Sequence, residues 1–158
     1  GAEQGRGVFG RIIGQGTELL VYTELGMGFR FMASTLGETT RSGRKVVSLK
    51  DDDALLGVTV VNGPLVFALS SDGHGLLMAS EEIAQLSGPG GGVRLIKLKH
   101  GATLMAARVV KPKDTVTLLY LGGKDDVYKV NDLEKGARGT VGRVVASRRK
   151  KLIGLAGG

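Results

Sequence analysis

The sequence contains no cysteine, and that single absence removes several kinds of protein. A disulfide framework, a cysteine-ligated zinc or iron–sulfur site and thiol catalysis are all excluded. His74 and His100 are the two histidines in 158 residues, which leaves little for a histidine metal site. Aromatic residues make up 4%, which disfavours recognition through bases stacked on exposed rings. No apolar run approaches the roughly 18 residues of a membrane helix, and no charged-then-apolar leader opens the chain. The first residue is Gly1 and not methionine, so a fragment or a processed product is expected.

What is abundant is glycine, 27 of 158 residues, well above the average of about 7%. Low-complexity disorder does not fit the 42% apolar content. The glycines separate short apolar runs, as tight turns separate strands. The length suits one domain, large enough to bury a core. Net charge is +7, unevenly spread: residues 1–93 carry 7 basic and 10 acidic side chains, residues 94–158 carry 15 and 5. Such asymmetry points to a polyanion-binding surface toward the C-terminus.

Helical periodicity is confined to two short candidate turns, residues 80–86 and 131–135, each opening on an N-cap type of residue with acids following. Strands are predicted at residues 19–23, 29–32, 46–49, 55–61, 65–69, 76–78, 93–98, 103–110, 115–121 and 127–130. The chain is therefore read as all-β.

These strands repeat. LLVYTELGMG (residues 19–28) aligns with LVFALSSDGHG (65–75), Met32-Ala33-Ser34 recurs as Met78-Ala79-Ser80, and VVSL (46–49) recurs as LIKL (95–98). A basic or glycine-rich loop precedes the last pair, RSGRK (41–45) and SGPGGG (87–92). A weaker third copy runs through TLLYLGG (117–123), YKVNDL (128–133) and GARGTVGR (136–143). A period of 46 to 49 residues with four strands per unit signals propeller-like blades, which must stack to form a core. The expected blades are residues 17–61, 62–110 and 111–155 of one domain spanning 1–158, and residues 1–16 read as the tail of a preceding blade.

With these motifs at this period, the chain resembles the C-terminal domain, or β-pinwheel, of bacterial type IIA topoisomerase A subunits. It is more similar to the topoisomerase IV member of that family than to the gyrase member. The most specific pieces are SSDGHGLLMASEEIAQLSGPGGGVRLIKL (70–98) and KGARGTVGRVV (135–145). Gyrase's glutamine–arginine–arginine–glycine–glycine–lysine–glycine box is replaced here by TRSGRKV (40–46), so strong chiral wrapping is not implied. Family pinwheels have five or six blades, which makes three a truncated or reduced array.

The resemblance implies one loop per blade on an outer rim. That places Arg41, Arg44 and Lys45, then Arg94, Lys97 and Lys99, then Arg138 and Arg143 along one edge. Arg148 and Arg149, in the run 148–151, are expected to add a phosphate contact ahead of a closing strand near residues 152–155, the other reading being a disordered solubilising end. Such a row neutralises phosphates and releases counterions, gripping bent duplex without reading its sequence. Implied partners are duplex DNA, the ATPase B subunit, and the catalytic regions of the same A subunit, with no membrane. Implied location is the bacterial cytoplasm, at the nucleoid, and the fragment is expected to be monomeric. A type II topoisomerase's cleavage tyrosine and ATPase lie outside this chain, so no catalytic residue, cofactor or metal is expected in it. The alternative is a protein-interaction propeller whose basic half docks an acidic partner; an apolar pocket beside a basic patch would favour it.

Other motifs carry less. GRGVFG (5–10) satisfies G-x-G-x-x-G but lacks the strand and helix a dinucleotide needs. GPGGG (88–92) lacks a phosphate-loop ending and reads as a turn. Asp51-Asp52-Asp53 and Asp125-Asp126 read as solvated turns. His74 and His100 have no evident triad partner.

Overall fold

A computed structural model describes residues 17–33, 52–86, 92–99, 101–147 and 149–157. Among the described residues eleven strands make three antiparallel sheets: β1 (Glu18–Thr23), β2 (Met27–Met32), β3 (Leu55–Val60), β4 (Leu65–Ser70), β5 (His74–Ala79), β6 (Val93–Arg94), β7 (Leu104–Val110), β8 (Thr115–Tyr120), β9 (Asp126–Lys129), β10 (Arg143–Val144) and β11 (Leu152–Gly157). The sheet orders are β3-β1-β2-β6, β10-β5-β4-β7 and β11-β8-β9. The predicted strand at residues 46–49 lies outside the described residues.

The all-β blade architecture is as expected, but the blades are not each built from one repeat. The third strand of the second repeat, β6, pairs with Met27 and Gly28 of the first sheet. The third strand of the third repeat, β10, likewise pairs with His74 and Gly75 of the second sheet. Among the described residues the third sheet holds three strands. The predicted strand at 93–98 is also shorter, because Leu95 and Ile96 turn inward and are wholly buried. The two helical turns shrink to single 3₁₀ turns, Ser80–Glu82 and Val130–Asp132. Ala79 and Lys129 occupy their N-cap positions without side-chain caps, so Ser80 does not cap the first turn and Asn131 does not cap the second.

Strand alternation explains the core. In β4, Val66 and Ala68 face the first blade, in a cluster with Leu20, Tyr22 and Ile96. Phe67 and Leu69 point the other way, packing on Val116, Leu118 and Leu155 of the third blade. A strand buried on both faces needs a continuous apolar run, which LVFAL supplies.

The borrowed strands require glycine at the contact. A Cβ on Gly28 would lie 2.6 Å from the Val21 carbonyl oxygen and 2.8 Å from Leu95 Cδ1; one on Gly75 would lie 2.6 Å from Phe67 Cζ. At the corresponding place of the third repeat stands Asp125, exposed, with Lys124 and Lys129 also exposed beside it. Charges on an edge strand discourage edge-to-edge pairing.

Arg30 ties the segment that follows β5 to the first blade. Its Nε donates to the Ile83 carbonyl at 2.8 Å and its Nη1 to Glu18 Oε2 at 2.8 Å. Both bonds are charge-assisted, so Arg30→Leu is expected to cost about 1.5–3 kcal/mol, measurable as a lower urea midpoint at unchanged slope.

Candidate nucleic-acid interface

Each borrowed strand leaves its host blade by crossing the end of the sheets that carries the hairpin turns. Leu95 N–H donates to Gly26 O at 2.7 Å, and Leu104 N–H donates to Glu24 O at 2.7 Å where the next strand begins. The third repeat copies the first step, Val145 N–H donating to Gly73 O at 2.9 Å, and its closing strand begins where Leu121 N–H donates to Lys151 O at 2.9 Å, as Ser71 N–H does to Thr103 O at 2.7 Å. Both crossings are basic, with Lys97 and Lys99 on the first and Arg149, Lys150 and Lys151 on the second, all exposed.

Successive loops are stitched together. Arg138 Nη1 donates to the Arg94 carbonyl at 2.7 Å, while its own N–H donates to Glu82 Oε1 at 3.0 Å. Gly139 N–H bonds Leu95 O at 2.8 Å and Lys97 N–H bonds Thr140 O at 2.9 Å. Arg94, Lys97 and Arg138 therefore come into one patch, where two loops about 40 residues apart meet. Arg143 sits on β10, exposed and paired with Glu134, an ion pair that water screens heavily. Arg41, Arg44, Lys45 and Arg148 lie outside the described residues; the structure brings Arg94, Lys97 and Arg138 together, while Lys99, Arg143 and Arg149 are exposed without a described contact to that junction.

Lys124 belongs to the same end and carried no signal in the sequence. Its carbonyl accepts from Lys150 Nζ at 3.1 Å, and that ammonium lies 5.1 Å from the centre of the Tyr120 ring. Tyr120 anchors the second crossing: its hydroxyl donates to Asp126 Oδ2 at 2.7 Å and accepts from Ser147 N–H at 3.0 Å. Burial pushes this phenol's pKa up, and the Asp126 carboxylate adds to the rise.

The polar residues set aside in the sequence have local partners. Asp53 Oδ1 accepts from Leu25 N–H at 3.0 Å and Ala54 N–H at 2.7 Å, fixing a turn. His74 Nδ1 lies 3.1 Å from Asp72 Oδ1, and Ser70 Oγ also bonds that carboxylate. His100 and Asp51 are outside the described residues. Among the described residues no three histidines or acids gather as metal ligands. No described helix is long and apolar enough to cross a membrane.

Burial alone would raise the Asp72 pKa, but hydrogen bonds from Ser70 and His74 outweigh it and hold the carboxyl below its ordinary value. A group with a depressed folded pKa stabilises the fold above its unfolded value of about 3.9, and that contribution is lost as pH falls through the folded value. Ser70→Ala is therefore expected to destabilise the protein more at about pH 6 than in acid. Urea titrations at a series of pH values would check this, and a difference independent of pH would contradict it.

Stacked antiparallel blades that exchange edge strands, with exposed cationic loops at the turn end, define a propeller-like module with a basic face. The chain belongs to the DNA gyrase C-terminal domain, beta-propeller family, whose model matches residues 17–62 and 65–111. It is 26% identical over 144 residues to the DNA gyrase A subunit of Lawsonia intracellularis, covering 85% of this chain and 17% of that protein. It is 26% identical over 106 residues to the DNA topoisomerase 4 A subunit of Bacillus subtilis, covering 66% and 13%. The chain thus spans less than a fifth of either relative. A crystal structure of the C-terminal domain of DNA topoisomerase IV superimposes with a TM-score of 0.78 at 18% identity, covering 90% of this chain and 46% of the other. The E. coli ParC C-terminal domain does so with a TM-score of 0.74 at 17% identity, covering 92% and 62%.

Proposed function

We propose that this chain binds and bends duplex DNA without reading its sequence, as the C-terminal domain of a type IIA topoisomerase of the topoisomerase IV kind. The observation that carries this reading is the junction at which Arg138 is bonded to the Arg94 carbonyl beside Lys97. It fixes cations from two repeats in one patch, and neighbouring exposed lysines extend that patch across the turn end. Phosphates along a duplex would be held by charge and by charge-assisted hydrogen bonds, and the spacing between successive crossings would favour a curved path. The module's part is to hold DNA for a catalytic core, with cleavage and ATP use in regions of the A and B subunits outside this sequence. Its place of work is the bacterial cytoplasm, and its three repeats act as one domain.

Fluorescence anisotropy with two unrelated duplexes over a salt series tests the reading. Equal affinities and a steep negative log–log slope are expected, together with closer duplex ends by energy transfer on binding. A flat salt response or a strong preference for one duplex would refute it.

A further inference from the structure

The two seams between blades are not equally filled. Leu95 bonds Gly26 O as Val145 bonds Gly73 O, so Ala146 stands in the third repeat where Ile96 stands in the second. Ile96 is wholly buried in the first seam. At the second seam the smaller Ala146 borders a cleft of about 460 Å³, walled by Met105 and Leu152, with Lys150, Lys151 and Asp72 also lining it. Nearby on the same end Leu121 and Ile153 are 66% and 52% exposed. Large aliphatic groups beside a cavity and a pair of lysines are not what a phosphate backbone alone needs.

We infer that this cleft is a docking site for an acidic polypeptide segment, which inserts one aliphatic or aromatic side chain between Met105 and Leu152 and sets its carboxylates against Lys150 and Lys151. The occupant is argued from charge and shape together. Exposed Arg149, Lys150 and Lys151 select an acidic partner, while the apolar walls and exposed Leu121 and Ile153 select one with hydrophobic side chains. Asp72, already engaged by Ser70 and His74, would repel a phosphate brought to the cleft. A peptide can keep its carboxylates on the lysine side and leave a neutral group beside Asp72. The cleft beside Ala146 is distinct from the Arg94–Arg138 junction, although its lysines lie on the same basic turn end, and the peptide reading does not depend on the DNA reading.

The probe is a fluorescein-labelled peptide, Asp-Glu-Phe-Leu-Asp-Glu, titrated with the whole 158-residue chain and compared with Asp-Glu-Ala-Ala-Asp-Glu. The anchored peptide is expected to bind about tenfold more tightly or better, a difference of ~1.4 kcal/mol. Ala146→Ile, which fills the cleft with the side chain the second repeat carries there, is expected to erase that difference while leaving duplex-DNA affinity intact. Lys150→Gln/Lys151→Gln is expected to weaken both peptides and to keep their ratio. Equal binding of the two peptides, no binding, or an anchor preference that survives Ala146→Ile would overturn the proposal. A parallel loss of DNA affinity in Ala146→Ile, in a variant whose melt matches the parent, would assign the cleft to the DNA surface and also overturn it.

Discussion

Replacing Gly142 by alanine is expected to lower the melting temperature by roughly 10 °C, a loss of about 3–5 kcal/mol in a chain of this size. Gly142 has φ +82°, and a Cβ there would meet the Gly75 carbonyl, with Leu76 Cβ at 3.1 Å. Two costs therefore add. The left-handed backbone costs an L-residue about 1–2 kcal/mol, and the collision falls on paired backbone that cannot move aside. Gly92 repeats the arrangement one blade earlier, with φ +78° and its would-be Cβ against the Gly28 carbonyl. Gly101 separates the two costs, because φ is +82° but nothing lies within 4 Å of its Cβ position. Gly101→Ala should lose about 1–2 kcal/mol by thermal melting followed by circular dichroism. Equal losses at positions 101 and 142 would show that the borrowed strand is not held by this close approach.

Neutralising Arg94, Lys97 and Arg138 together, each to glutamine, is expected to weaken duplex-DNA binding on the order of 100-fold near ~100 mM salt. The slope of log affinity against log salt should fall by about 0.9 for each phosphate contact removed. Glutamine at 138 removes the charge but is shorter than arginine, so the variant's melt must match the parent's before lost affinity is assigned to charge. Lys111→Gln/Lys113→Gln is the control, because these exposed lysines lie in the turn between β7 and β8, at the opposite end of the sheets. That pair should leave affinity within about threefold, since contacts at the far end release no counterions from the bound duplex. Comparable losses in both variants would mean that net charge, and not the stitched patch, governs binding.

Much of the architecture is written in local sequence. The short continuous apolar runs LLVYT and LVFAL, the G-x-G turns and the recurrence of M-A-S specify short antiparallel strands and their repetition, because these depend on local hydrophobicity and turn chemistry. The closing strand after the RRKK run was legible for the same reason, and β11 pairs with β8 along Leu152–Gly157. The basic character of Arg94, Lys97, Lys99, Arg138, Arg143 and Arg149 was likewise open to inspection.

The tertiary structure alone decided which blade each third strand joins. A two-residue strand such as Val93–Arg94 carries too few hydrogen bonds to choose a partner, and its destination is set by Leu95 and Ile96 filling the seam and by Gly28 admitting them. Likewise no spacing in the sequence announces that Arg138 reaches the Arg94 carbonyl, or that Ala146 in place of Ile96 borders a cleft. Strand identity is a property of nearest neighbours along the chain, whereas strand exchange and loop contact are settled by packing between residues a whole repeat apart.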